Sequence, residues 1–488
     1  VLMNFPPITR RQKPEVLAPA GNLETLKTAI DYGADAVYCG GQAFGMRTAP
    51  RNLTLEDFDE GVKYAHERGA RLFVTCNILP TSSEVADMNA YMAQLGEIGV
   101  DALIVSDIGV LMAARQVAPN TEIHISTQAG VTNYQAANAL AQLGASRVVL
   151  ARELDLAAIR DIRANVSPEL EIEAFVHGSM CMAFSGRCLI SQHTTGRDAN
   201  HGDCAQSCRW KYHVVEEKRP GQFIPVEITD QGTFLFNSQD MNLLAHVDDV
   251  LDAGVTSLKI EGRAKGAYYV AAMANAYKCA VNEYMVQRGY EDSDGNVLKP
   301  FDSREVLEAS LAARAERALE TDSIGGTDSI GGADAVDDAG AALRPQGAVS
   351  LQSALPKVEF PQWLLEEPEK VTHREYCTGF YYPEKPASEN IVSGGYINTW
   401  RWLGNVVGYD ATERRLRIYA KNKIAPGMEI EFLFPNHAPV VYVVPEQGLQ
   451  DERGHAVAEI NHPAHEFSIP CDDAIPAGSM IRARMRQN

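Results

Sequence analysis

The chain has 488 residues, 45% hydrophobic and 22% charged, proportions of a folded globular protein that exclude a mostly disordered or fibrous one. Its 44 Lys and Arg against 64 Asp and Glu leave a net charge of -20, which excludes whole-surface attraction to polyanions and confines any nucleic-acid contact to a local basic patch. No run approaches the roughly 20 apolar residues of a membrane span, and the opening VLMNFPPITRRQKPEVLAPAG holds no apolar signal core, so a cytoplasmic location is expected.

Residues 1–14 form an N-terminal extension. From Glu15 onward short β-branched runs alternate with helical stretches. Strands are expected at 15–21, 36–41, 71–77, 102–107, 122–128, 147–153, 171–178 and 257–263. Between most of them lie segments apolar at i, i+3 and i+4 that end near Gly, such as NLETLKTAIDYGA and YQAANALAQLGA. Eight such units imply a parallel sheet closed into a TIM-like (β/α)8 barrel over 15–300. Several strands end in polar residues: Asn77, Asp107, Ser126 with Gln128, Arg152 with Glu153, His177, and Lys259 with Glu261 and Arg263. A barrel gathers its C-terminal strand ends at one mouth, where this fold carries its active sites.

Residues 301–356 read as a helical connection, whose stretch 321–350, with its tandem TDSIGG, is Gly-, Ala- and Asp-rich and lacks the apolar content of a core. It is expected to be a disordered acidic insertion. From 357 to 488 short strands separated by Gly, Pro and Asn turns predict a small all-β C-terminal barrel. Arg414, Arg415, Arg417, Lys421 and Lys423 crowd one hairpin there, and Arg482, Arg484 and Arg486 alternate on one face of the last strand. Those charges read either as solvated edge-strand residues or as a phosphate-binding surface.

The segment 171–212, EIEAFVHGSMCMAFSGRCLISQHTTGRDANHGDCAQSCRWKY, carries four of the nine cysteines. Cys181, Cys188, Cys204 and Cys208 are spaced C-x6-C-x15-C-x3-C. Thiolates suit an iron–sulfur cluster or zinc, and four close either site. The first pair is wider than the close pairs of structural zinc sites. Cys39, Cys76, Cys279, Cys377 and Cys471 read as small buried apolar residues. No H-E-x-x-H, G-x-S-x-G or phosphate-loop motif is present. Ser179 or Cys181 beside His177 is the only arrangement to suggest a peptidase nucleophile and base.

Four blocks carry a resemblance: LAPAGNLETLKTAIDYGADAVYCGG at 17–41; FVHGSMCMAFSGRCLIS with GRDANHGDCAQSCRWKY; SLKIEGRAKGAYYVA at 257–271; and PEKVTHREYCTGFYYP at 368–383. Together they resemble the collagenase-like "peptidase" family, and within it the prephenate-dependent tRNA uridine(34) hydroxylase branch. The resemblance implies a [4Fe–4S] cluster on Cys181, Cys188, Cys204 and Cys208, with prephenate as co-substrate and oxygen donor in an O2-independent 5-hydroxylation of the wobble uridine. It implies tRNA as partner, met at the anticodon loop by the C-terminal domain, with Trp210 and Tyr212 as further contacts. The electron donor stays unassigned. Arg187, Arg197, Lys259 and Arg263 are the candidates to bind the prephenate carboxylates, since a dianion needs cationic and preferably bidentate partners. Glu153, Glu173, His177 and Glu261 are the candidates for proton transfer. An ion pair between Lys259 and Glu261 is the structural alternative for those two. The family label carries two rivals, a collagenase-like peptidase and a non-catalytic RNA-binding accessory factor with a structural metal.

Overall fold

The computed structural model describes residues 13–45, 52–179, 190–197, 205, 207, 228–229, 232–233, 239–291, 298–301, 355–384, 396–461 and 463–485. The chain divides into two compact units, one of residues 1–27, 35–266 and 373–397, the other of 28–34, 267–372 and 398–488. The 321–350 insertion lies outside the described residues.

All eight expected barrel strands form, as β1 (Glu15–Ala20), β2 (Ala36–Gly40), β3 (Arg71–Cys76), β4 (Ala102–Val105), β5 (Glu122–Ile125), β6 (Arg147–Val149), β7 (Glu171–Ser179) and β8 (Ser257–Ile260). They pair in parallel in chain order, and β8 closes the circle by pairing with both β7 and β1, with Ser257 opposite Glu173 and Glu15. Nearly every residue of these strands is buried, as expected of a parallel sheet covered on both faces. The helices after the strands begin where the side chains can cap them. Thr54 and Asp57 form a capping box on the helix Leu55–His66, and Asp107 caps the helix Ile108–Val117. Asn133 and Asp155 do the same for Tyr134–Gln142 and Leu156–Ala164.

Beyond β7 the sheet gains two short strands that the hydrophobic pattern does not announce. Asp240–Asn242 runs antiparallel to β7, with Asp240 opposite Ser179, and Tyr376–Cys377 pairs in parallel with it. Residues 373–377 are thereby fastened beside the C-terminal end of β7.

The second unit contains the all-β domain: β9 (Trp400–Asp410), β10 (Arg415–Ala420), β11 (Glu429–Leu433), β12 (Val440–Val443), β13 (Gln450–Asp451), β14 (His465–Pro470) and β15 (Met480–Arg484). They form one antiparallel sheet in the order β12-β11-β15-β9-β10-β14-β13. Alternate residues, among them Leu416, Ile418, Ile430, Phe432, Ile469 and Ile481, fill a single core. The last strand is therefore central, and its arginines are not edge charges. Arg482 is fully buried, bonded through both terminal nitrogens to Glu367 at 2.6 and 2.7 Å and through Nε to Glu431 at 2.9 Å. Lys370 completes this network on Glu431 at 3.0 Å. Arg484 is exposed, and Arg486 lies outside the described residues. In the hairpin, Arg414, Arg417 and Lys423 each face a carboxylate, Asp472, Glu466 and Glu459 respectively.

Candidate active site at the barrel mouth

Period-two alternation decides which residues enter the barrel. At the N-terminal ends of the strands this puts Glu15, Arg71, Glu122, Arg147, Glu171 and Ser257 inside, and they form one buried ionic network. Arg147 bonds Glu15 at 2.7 Å, Glu171 at 2.5 Å and Glu173 at 3.0 Å, while Arg71 bonds Glu15 at 2.6 Å. Glu122, His124 and Glu171 bring ligand atoms within 4.8 Å of one another there. Arg71 and Arg147 already neutralise these carboxylates, so the cluster is a salt-bridge floor and not a cation site. Above it, Leu17, Ala36, Tyr38, Phe73, Ala102 and Ile104 make an apolar layer.

Glu173 and Lys259 stand between floor and mouth. Their charged atoms are 2.5 Å apart and both side chains are buried, so the partner of Lys259 is Glu173 on the neighbouring strand. Burial opposes ionisation of Glu173, but Lys259 and Arg147 overcome it and hold its carboxyl below the usual range. Burial lowers the Lys259 ammonium, against the pull of Glu173. Its Nζ lies 4.3 Å from the ring centre of Tyr38 and 5.3 Å from that of Phe175. Glu173 is thus a fixed counter-ion.

At the C-terminal ends the strands present a polar rim. Asn77 donates to Ser126 at 3.4 Å, and Ser106 donates to the Gln128 side chain at 3.0 Å. Arg263 donates to Thr75 at 3.0 Å. His177 and Glu261 meet at a tight junction. The Glu261 N–H donates to the His177 carbonyl at 2.9 Å, and Gly178, at φ +96°, lets the Glu261 carbonyl pack where a Cβ would be only 2.6 Å away. Burial pushes the His177 imidazole down to about 3, with Lys265 and His373 adding to the effect. His177 is therefore neutral at physiological pH, a hydrogen-bonding group and a weak base. Tyr376 stacks on His373 with centroids 4.4 Å apart and lies 5.6 Å from His177.

Ser179 ends β7 between two arginines, Arg152, which the sequence placed among the polar strand ends without a role, and Arg374, which it did not single out. Arg152 donates to its carbonyl at 2.6 Å, and Arg374 NH2 lies 3.5 Å from its hydroxyl. The sequence signal for Arg152 was its place at a strand end; Arg374 is brought in only by the 376–377 strand. Of the other expected site residues, Glu153 lies half-buried at the end of β6 and Arg197 is exposed after the helix Ile190–Thr195. Cys181, Cys188, Cys204, Cys208 and Arg187, with Trp210 and Tyr212, lie outside the described residues. Their described neighbours are joined. Ser191 accepts from the Ala205 N–H at 2.8 Å, and Thr194 donates to Ser207 at 2.6 Å. Cys188 lies three residues before Ser191 in sequence, and Ala205 and Ser207 adjoin Cys204 and Cys208.

These features define a (β/α)8-barrel protein with a polar site at the C-terminal strand ends and a cysteine-bearing segment leaving β7 at that mouth. Residues 21–320 match the model of peptidase family U32, and residues 398–482 match that of the peptidase family U32 C-terminal domain. The chain belongs to peptidase family U32. It is 31% identical over 473 residues to tRNA hydroxylation protein P1 of Bacillus subtilis, covering 96% of this chain and 95% of that one. It is 36% identical to tRNA hydroxylation protein P of Escherichia coli, covering 61% of this chain and 74% of that one. A protein of Porphyromonas gingivalis named collagenase is 33% identical, over 55% of this chain and 66% of its own length. Among the described residues no helix is long and apolar enough to cross a membrane.

Proposed function

We propose that the chain is an RNA-modifying enzyme that hydroxylates carbon 5 of the wobble uridine of tRNA without O2, taking the oxygen from prephenate, with a [4Fe–4S] cluster on Cys181, Cys188, Cys204 and Cys208. The observation that carries this reading is the near full-length similarity to a tRNA hydroxylation protein, which spans both units of the chain. A four-thiolate donor set suits the cluster. The hydrogen bonds from Ala205 to Ser191 and from Thr194 to Ser207 support it, because they tie together the chain stretches next to three of the four cysteines. When bound, the cluster would supply redox-active iron.

The chain's own residues would do the rest. The polar rim of Asn77, Ser106, Ser126 and Gln128 orients a substrate through neutral hydrogen bonds, and Arg263 supplies positive charge at the end of β8. Lys259, spent on Glu173, contributes to the field but offers no free charge for a carboxylate. His177 and Glu261 hold hydrogen bonds at the junction of β7 and β8, and a neutral His177 donates without adding charge. A basic surface of the all-β domain would meet the anticodon loop, with exposed Arg484 and Tyr419 among its candidates.

The peptidase reading receives less support. The described contact of the Ser179 hydroxyl is Arg374, not an imidazole, and an imidazole held near 3 is a poor base for a nucleophile at neutral pH.

The test is anaerobic purification with iron, sulfide and zinc analysis, followed by nucleoside analysis of tRNA from cells lacking the gene and complemented by wild type or Cys204→Ala. About four iron and four sulfide per chain, lost in the variant together with 5-hydroxylated uridine, is the expected outcome. Stoichiometric zinc, or hydroxylated uridine restored by the cluster-free variant, would sink the reading.

A further inference from the structure

We propose that Arg152 is the recognition group of a site for a small carboxylate ligand at the C-terminal end of β7, with Ser179 and Arg374 beside it. The buried cations of this unit each have an acid, Arg71 and Arg147 on Glu15, Lys259 on Glu173, and Arg374 on Asp240 at 3.4 Å, whereas Arg152 is half-buried. Arg152 has none among the described residues. Its hydrogen bond goes to the Ser179 carbonyl at 2.6 Å, and its guanidinium carbon lies 3.7 Å from the ring centre of Phe175. The Nε–H is enclosed and finds no acceptor among the described residues. One arm of the guanidinium is thus anchored on Ser179, while the edge made by Nε and the other terminal nitrogen keeps two parallel donors, the geometry that takes both oxygens of a carboxylate.

The charges around the site select the class of ligand. Asp240 faces Arg374 and Glu173 faces Lys259, which leaves Arg152 as the cation at the end of β7 with no acid among the described residues, while Lys265 acts on His177 from the β8 side. Glu153 adjoins Arg152 in the chain, and Glu261 packs on Gly178 one residue before Ser179. One carboxylate group of an organic acid fits such a setting; a phosphate dianion or an RNA backbone concentrates more negative charge at one point than the site balances. The ring of Phe175, held under the guanidinium, adds an apolar wall for an organic acid. The proposal deepens the reading above, since the co-substrate named there carries carboxylates.

The experiment is a calorimetric titration of phenylpyruvate, succinate and inorganic phosphate into the anaerobically purified full chain, as wild type, Arg152→Gln and Arg152→Lys. Phenylpyruvate is expected to bind the wild type, to weaken at least about tenfold in Arg152→Gln, and to fall between in Arg152→Lys, which keeps the charge but loses the fork. Absence of carboxylate binding at millimolar concentration, equal affinity in wild type and variants, or a preference for phosphate would overturn the proposal. If Arg152→Gln does not fold, the wild-type panel and Arg152→Lys decide it. No RNA enters this titration. Its failure removes the carboxylate site and leaves hydroxylation to the nucleoside analysis, whereas missing hydroxyuridine with intact carboxylate binding removes only that reading.

Discussion

Glu173 and His177 sit on the same strand four residues apart, and their surroundings give them opposite work. Glu173 has no solvent exposure and is shared by Lys259 at 2.5 Å and Arg147 at 3.0 Å. Removing its charge strips the buried Lys259 of its described carboxylate partner, while Arg147 keeps Glu15 and Glu171, so Glu173→Gln is expected to lower stability by about 3–5 kcal/mol in urea unfolding. A loss below about 1 kcal/mol would mean that water or a relaxed geometry already compensates the pair. His177 is neutral because burial lowers its imidazole from 6.5 to about 3. The unfolded chain therefore binds the proton more readily than the folded one. Stability from this residue is complete above pH 6.5 and is lost as pH falls toward about 3. Between pH 7 and 4.5 the expected loss is about 2–3 kcal/mol, at 1.4 kcal/mol for each pKa unit crossed. Urea midpoints at the two pH values should converge for His177→Gln and separate for wild type; equal pH dependence in both would remove His177 as the cause.

The end of β7 is the element on which the site depends. Gly178 adopts φ +96° and accepts the Glu261 carbonyl where a side chain would stand. Gly178→Ala is expected to cost about 1–3 kcal/mol and to displace the β7–β8 junction, because the new Cβ meets backbone oxygen and not a flexible side-chain tip. A melting temperature equal to wild type would show that the junction yields. The eight barrel strands were legible because a strand buried on both faces needs a continuous apolar run, and local composition records that need. The strand-end residues Asn77, Gln128, His177, Glu261 and Arg263 were legible for the same reason: each interrupts such a run at its end. The pairing of charges was not. Lys259 and Glu261 share a strand, yet Lys259 chooses Glu173, which is 86 residues away in sequence and adjacent only once β8 pairs with β7. Arg482 looked like an edge charge because alternation reports a face and says nothing of what covers it. The same limit hid Arg374, which reaches the site through two strands of two and three residues, too short to leave a pattern.

At the scale of the whole molecule the chain passes five times between its two units, at 27/28, 34/35, 266/267, 372/373 and 397/398. The first crossing falls inside the helix Leu23–Asp31, so its residues are divided between the units. If that helix keeps its full length only while both units are folded, one cooperative transition is expected in place of two independent ones. Tyr32 tests this. Its hydroxyl lies 3.0 and 3.1 Å from the Leu433 and Gly478 carbonyls and accepts the Met480 N–H at 3.1 Å, all within the second unit. Tyr32→Phe removes these bonds without changing the ring, at an expected cost of about 1–3 kcal/mol. If the units unfold together, the thermal transition of the barrel, followed through hydrogen exchange of β3 and β4 amides, shifts down with that of β11 and β15. A shift confined to the all-β domain would show that the units unfold independently, with the helix Leu23–Asp31 frayed at Lys27. The barrel and the β-domain would then tolerate separate substitution. One transition would make a destabilising change in either unit a change in the barrel mouth as well.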